Sequence, residues 1–317
     1  MEQPKKINVY IITGFLGSGK TTLLNNLLQQ FSTKKNVVIE NEFGKINIDA
    51  TLVNGTFESV YELTNGCICC SINNQLLETL TRIHTLENQP DNLFIETTGI
   101  ADAGEIASNF TALYIAEAFD LKKIITVVDA QNLLFYKDSN PEVQKQIVAA
   151  DCVVINKSTL VATEIIAAIK NFIQAINPYT NIILSNNGWL DPKNLETENS
   201  QKMLTPSTVY KSENVHKIKT LLYETDDFFD LQKLKYELFK HLYLYYHQIY
   251  RIKGYVLTAD KEVVLVQTTG KSVVLELSKN QTISKSQLVF IGKELELKTI
   301  ERILKSAVIK NKKLKIV

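Results

Sequence analysis

The chain is predicted to be an α/β protein, with a mostly parallel sheet flanked by helices and a smaller α+β domain after it. Three observations predict this. Short apolar runs rich in β-branched residues recur through the first half, segments with helical spacing separate most of them, and a glycine-rich stretch joins the first run to the first helical segment.

The runs are Asn8 to Ile12, Val37 to Ile39, Leu93 to Ile95, Ile124 to Val128, Val153 to Ile155 and Ile182 to Leu184. Their intervening helical segments include Leu23 to Phe31, Asn74 to Leu86 and Thr163 to Ile176. Strands that alternate with helices pair in parallel and are buried on both faces, which is why they read as continuous apolar runs. From Asn186 to Asn214 the chain turns rich in Asn, Ser, Thr, Glu and Pro and loses its periodicity, as a connector does. Beyond it, strands are predicted at Val215 to Tyr223, Arg251 to Thr258, Val263 to Gln267, Val273 to Leu277 and Leu288 to Ile291, with helices at Leu231 to Leu242 and Leu297 to Leu304. The expected division is residues 1–190, a linker over 191–213, and a second domain over 214–317. The run from His241 to His247, HLYLYYH, carries an aromatic stripe that reads as core packing.

The joining stretch, GFLGSGKTT, contains Gly-x-x-x-x-Gly-Lys-Thr from Gly14 to Thr21. Small residues there let backbone N–H groups curl around phosphate oxygens, and the following helix adds the positive end of its dipole. This strand, loop and helix order is the phosphate loop of nucleoside triphosphate-binding proteins. Gly14, Gly17, Ser18, Gly19, Lys20, Thr21 and Thr22 are the expected phosphate contacts, with Lys20 reaching the β/γ-phosphates and the Thr21 hydroxyl offered to Mg²⁺.

In an open α/β sheet, ligands bind beyond the carboxyl ends of the strands, so the residues after each run carry the chemistry. They are Glu40-Asn41-Glu42, Glu96-Thr97-Thr98-Gly99, Asp129, Asn156-Lys157 and Ser185-Asn186. Glu96 is placed to sit near Mg²⁺ and Gly99 near the γ-phosphate. Asp129 is a weaker candidate and reads equally well as structural. Asn156-Lys157 begins the Asn-Lys-x-Asp pattern by which guanine-nucleotide proteins read the base, but Thr159 stands where the aspartate belongs. A hydroxyl cannot supply two anionic acceptors side by side, so base selectivity is expected to be weaker.

Three of the four cysteines, Cys67, Cys69 and Cys70, fall in one short Gly-Cys-x-Cys-Cys turn. Thiolates are soft ligands that suit Zn²⁺ or a similar transition metal, and three from one loop nearly complete a tetrahedral site. Cys152, inside an apolar run, reads as a small buried hydrophobe. His84, His216, His241 and His247 are scattered and form no pattern of ligands.

With 45 % hydrophobic and 22 % charged residues and a net charge of +1, the chain reads as an ordinary globular protein, with no electrostatic case for a nucleic-acid partner. The start, MEQPKKINVY, runs into the first strand without a long apolar segment, so neither a signal peptide nor a membrane anchor is expected and a cytoplasmic location is.

Together GFLGSGKTT, IENEFGKINID (Ile39 to Asp49), NGCICC (Asn65 to Cys70), IETTGIAD (Ile95 to Asp102), VVDA (Val127 to Ala130) and INK (Ile155 to Lys157) resemble the CobW-type metallochaperone GTPases. RIKG (Arg251 to Gly254) and VFIG (Val289 to Gly292) resemble that family's carboxy-terminal domain. The resemblance implies a phosphate-loop GTPase that carries a metal ion, zinc or in some members cobalt, to a client metalloprotein. It also implies Mg²⁺ with GTP as cofactor, Cys67, Cys69 and Cys70 as metal ligands with Glu40 as an additional one, and Glu96 as the acidic residue of the third nucleotide motif. Lys20 and Glu96 are then the residues expected to serve hydrolysis. Thr159, Ala103 and Lys45 depart from the family pattern, and no histidine-rich stretch is present. No general base or arginine finger is evident, so slow intrinsic turnover is expected. Two alternatives stand beside this reading: a nucleotide-gated zinc buffer that scarcely hydrolyses, and an ATP-using enzyme with a structural cysteine loop. A homo-oligomer is among the assemblies the sequence allows.

Overall fold

The computed structural model describes residues 5–40, 57–62, 71–196, 218–244, 248–278 and 282–311. The chain forms two compact units, Met1–Asn171 with Thr180–Ser200, and Phe172–Tyr179 with Gln201–Val317.

In the first unit the order of elements is β1 (Ile7–Thr13), α1 (Lys20–Gln30), β2 (Asn36–Glu40), β3 (Phe57–Glu62), α2 (Ser71–His84), β4 (Asn92–Glu96), α3 (Ala103–Ser108), α4 (Leu113–Ala118), β5 (Phe119–Asp129), α5 (Leu133–Tyr136), α6 (Pro141–Ala149), β6 (Cys152–Asn156), α7 (Thr163–Ile176), β7 (Asn181–Leu184) and α8 (Lys193–Glu196). Helix α7 runs on past the limit of this unit. The seven strands form one sheet in the order β3-β2-β4-β1-β5-β6-β7, and every pairing is parallel.

Side chains alternate across a strand, and β1 shows where each set goes. Val9 and Ile11 enter a core with Leu76, Leu80 and Ile83 of α2 and Ile106 of α3. Tyr10 and Ile12 enter a second core with Leu23, Leu24, Leu27 and Leu28 of α1. Both faces of the sheet are therefore covered, which accounts for the unbroken apolar runs. Because β1 lies between β4 and β5, the chain passes to opposite sides of it, and the loop after β1 opens at that switch in strand order.

Edge strand β3, with the sequence FESVYE, was not among the runs anticipated from sequence. An edge position asks for less apolar continuity than a central one, so the hydrophobic pattern there is weak.

The second unit contains β8 (Ile218–Thr225), β9 (Phe228–Phe229), α9 (Leu231–Leu244), β10 (Ile249–Leu257), β11 (Val263–Thr269), β12 (Ser272–Leu277), β13 (Ser286–Lys293), α10 (Leu297–Leu304) and β14 (Val308–Ile309). An antiparallel sheet in the order β12-β11-β10-β13-β8 packs Ile252, Val256, Val266, Leu288 and Phe290 against Leu234, Leu238 and Leu242 of α9 and Ile300 and Ile303 of α10. The expectation that the aromatic run after residue 241 is core does not hold for its described part. Leu242 is buried, but Tyr243 and Leu244 are each 62 % exposed. Helix α9 carries two stripes: the leucines at 234, 238 and 242 face the sheet, which leaves Tyr236, Phe239 and Tyr243 at the surface. Residues 245–247 lie outside the described part.

Among the described residues, no helix is long and apolar enough to cross a membrane.

Candidate nucleotide site

The glycine loop owes its shape to backbone that other residues adopt with difficulty. Gly14, Gly17 and Gly19 have φ of 145°, 73° and 99°. A Cβ on Gly14 would lie 2.2 Å from the Val127 carbonyl oxygen, and one on Gly19 would lie 2.3 Å from Asn156 Nδ2. Those two positions have neither the angle nor the room for a side chain. At Gly17, by contrast, a Cβ would meet nothing within 4 Å, so the loop is open there. Helix α1 starts at Lys20 with no side-chain cap. Its first N–H groups are therefore not taken up by a capping side chain and can serve an anion.

Two buried hydroxyls support a polar ligand at this place. Ser18 Oγ, in the loop, and Thr98 Oγ1, after β4, are buried with no hydrogen-bond partner among the described residues. Buried polar atoms in native proteins are nearly always paired, so such atoms beside an open loop suit a phosphate or its hydration. Lys20 Nζ extends over the loop to the Phe15 carbonyl oxygen at 3.5 Å.

The Thr21 hydroxyl donates to Glu96 Oε1 at 2.7 Å. Adjacent oxygens around an octahedral Mg²⁺, each about 2.0–2.1 Å from the ion, stand about 2.9 Å apart. The Thr21–Glu96 separation is therefore suited to two ligands of one such ion. Glu96 is brought here by β4, which pairs with β1 in the register Ile12↔Glu96, while Thr97 donates from its hydroxyl to Thr13 Oγ1 at 2.8 Å. Gly99 lies directly against the loop: a Cβ on it would fall 2.8 Å from Leu16 N, and its carbonyl accepts from Gln146 Nε2 at 3.0 Å. Gln146 is almost fully buried and was not anticipated from sequence. Its only signal was an amide on the core-facing side of α6.

Asn156 and Lys157 tie the loop to the far half of the sheet. Asn156 Nδ2 donates to the Ser18 carbonyl at 2.9 Å, and Asn156 Oδ1 accepts from Gly188 N at 3.0 Å. Lys157, itself in the left-handed region at φ 59°, donates to the Gly17 carbonyl at 3.0 Å and pairs with Asp129 Oδ2 at 2.7 Å. Burial opposes the charge on Asp129. Hydrogen bonds from Lys157, Asn132 and the Gln131 N–H outweigh it and hold the carboxyl below its ordinary value. Tyr136, pushed up to about 12 by burial, packs its ring 4.7 Å from that of Phe15. Thr22, the remaining residue of the predicted loop set, is in the first turn of α1.

Glu40 closes β2 and is half-buried, in register with Glu96 on one side and Glu62 on the other. Cys67, Cys69 and Cys70 lie outside the described residues. Among the described residues no group of three or more His, Cys, Asp or Glu side chains is placed to hold a metal ion. Cys152 is fully buried in β6, as anticipated, and burial pushes its thiol up to about 12.

A glycine loop between the central parallel strand and a helix, with a hydroxyl and a carboxylate converging beside it, defines a phosphate-loop nucleotide-binding protein. The chain belongs to the CobW/HypB/UreG nucleotide-binding domain family, whose model matches residues 8–184, and residues 218–308 match the CobW carboxy-terminal domain. It is 32 % identical over 194 residues to a zinc chaperone CobW of Sinorhizobium, covering 52 % of this chain and 55 % of that protein. It is 36 % identical over 194 residues to the zinc-regulated GTPase metalloprotein activator 1 of Schizosaccharomyces pombe, covering 58 % and 47 %. The matched region thus spans about half the length of these relatives. The crystal structure of zinc-bound YjiA GTPase from Escherichia coli superposes with a TM-score of 0.70 at 25 % identity, over 95 % of this chain and 99 % of that one.

Proposed function

We propose that this chain is a GTP-hydrolysing metallochaperone. It binds a transition metal, zinc first, at Cys67, Cys69 and Cys70 with Glu40 as an added ligand, and delivers it to a client metalloprotein in the cytoplasm. The observation that carries the coupling is a register. Glu62, Glu40 and Glu96 stand side by side at the carboxyl ends of β3, β2 and β4. Glu96 meets the Thr21 hydroxyl, Glu40 opens the sequence stretch that runs to Asp49, and Glu62 lies five residues before Cys67. A change in what Glu96 holds is then passed through one strand to the metal loop.

In this reading the loop from Gly14 to Thr22 grips the phosphates, and Lys20 and Gly99 face the γ-phosphate. Thr21 and Glu96 would hold Mg²⁺, which when bound supplies charge neutralisation between the phosphates. Asn156 and Lys157 keep the loop in the shape that receives them. The names of the relatives, a zinc chaperone and a zinc-regulated GTPase activator, support zinc as cargo and a metalloprotein as client. Phosphate release by wild type and by Lys20→Ala, each with and without zinc, tests the reading. Hydrolysis lost in the variant supports it, and equal background rates count against it.

A further inference from the structure

The turn after β6 and the turn after β7 are joined through one amide. Asn186 Oδ1 accepts from the Thr159 N–H at 3.0 Å and the Thr159 hydroxyl at 2.9 Å, while the Ser158 hydroxyl donates to the Ser185 carbonyl at 2.9 Å. Only an oxygen can take these donors, so the amide orientation is fixed and its Nδ2 hydrogens are left as donors. The Ser158 N–H donates to the Ser185 carbonyl at 3.1 Å, and Ser185 Oγ donates to the Trp189 carbonyl at 2.7 Å, so both turns are held in place. Thr159 follows Asn156-Lys157 where an aspartate would accept the N1–H and 2-amino hydrogens of guanine. Its hydroxyl proton is committed to Asn186, and what remains is one neutral oxygen rather than two anionic ones. Asn156 and Lys157 are committed to the phosphate loop and to Asp129.

We propose that the base subsite takes a 6-oxopurine nucleotide without reading its C2 substituent. The Asn186 amide supplies donors for the 6-oxo group, and the Thr159 position, where an aspartate would face the 2-amino group, offers no charge. Guanine and hypoxanthine nucleotides are then near-equal ligands. This rests on the nucleotide reading above. A site built to hydrogen-bond a group rejects the analogue that lacks it, because its own acceptor is left unpaired, and a neutral hydroxyl leaves little unpaired.

Titration calorimetry of the full chain with GDP and with IDP in Mg²⁺ tests it. The two dissociation constants are expected within about threefold of each other, and Thr159→Asp is expected to separate them by about tenfold or more in favour of GDP. A wild-type preference for GDP over IDP beyond about tenfold overturns the proposal while leaving nucleotide binding intact, as does a folded Thr159→Asp variant that leaves the ratio unchanged. Absence of binding by both nucleotides overturns the nucleotide reading itself, and the proposal with it.

Discussion

The Thr21 hydroxyl, in the first turn of α1, and the Glu96 carboxylate, at the end of β4, meet at 2.7 Å. In the proposed function both oxygens would hold Mg²⁺, so removing either should weaken nucleotide binding only when the ion is present. Thr21→Ala is expected to raise the dissociation constant for a GTP analogue in Mg²⁺ by about tenfold or more while changing it little in EDTA, and Thr21→Ser to restore it. Glu96→Gln is expected to slow phosphate release by about 100-fold, read in single-turnover assays.

Asn156 is the clasp between the glycine loop and β6. Asn156→Ala strands the Ser18 carbonyl and the Gly188 N–H and is expected to cost about 2–3 kcal/mol in denaturant unfolding. Gly19→Ala drives a Cβ toward Asn156 Nδ2 at a backbone angle that disfavours one, at a cost of about 1–3 kcal/mol. The two losses should be less than additive in the double variant, since truncating Asn156 removes the clash.

The pair of Lys157 and buried Asp129 predicts an acid-sensitive contribution to stability. The folded pKa of Asp129 lies below its ordinary value, so its stabilisation is complete above the unfolded pKa of about 3.9 and is lost as pH falls through the folded value. Asp129→Asn should therefore be less stable than wild type at pH 7. That gap should narrow below about pH 4, as read from urea midpoints across the pH range.

The four cysteines should divide by reactivity. Cys152 is buried and its thiol is raised to about 12, so in the folded protein at pH 8 it should not react with a thiol reagent. Thiol counting is expected to give three fast groups in the metal-free protein, none after one equivalent of zinc, and four in denaturant. Zinc that leaves the fast groups reactive would argue against the cysteine turn as the metal site.

Much of this was legible in the chain because its central strands are buried on both faces and therefore appear as apolar runs. The glycine loop was legible for a related reason, since its spacing follows from backbone angles and close approaches at Gly14 and Gly19. What escaped depends on distant parts meeting. Edge strand β3 lacks a continuous apolar signature, and nothing local marks Gln146 as the support of Gly99 or Asn186 as the partner of Thr159. The exposed aromatic stripe of α9 escaped because periodicity reveals a stripe without saying which of two faces the sheet: the leucines do.

The most direct test of the central claim is the affinity for Zn²⁺, measured by competition with a chromophoric chelator, of protein loaded with a non-hydrolysable GTP analogue, with GDP, or with neither. Coupling through Glu96, Glu40 and the cysteine turn predicts at least about a tenfold difference between the triphosphate and diphosphate states, and collapse of that difference in Glu96→Gln. The same zinc affinity in all three states of the wild type would contradict it.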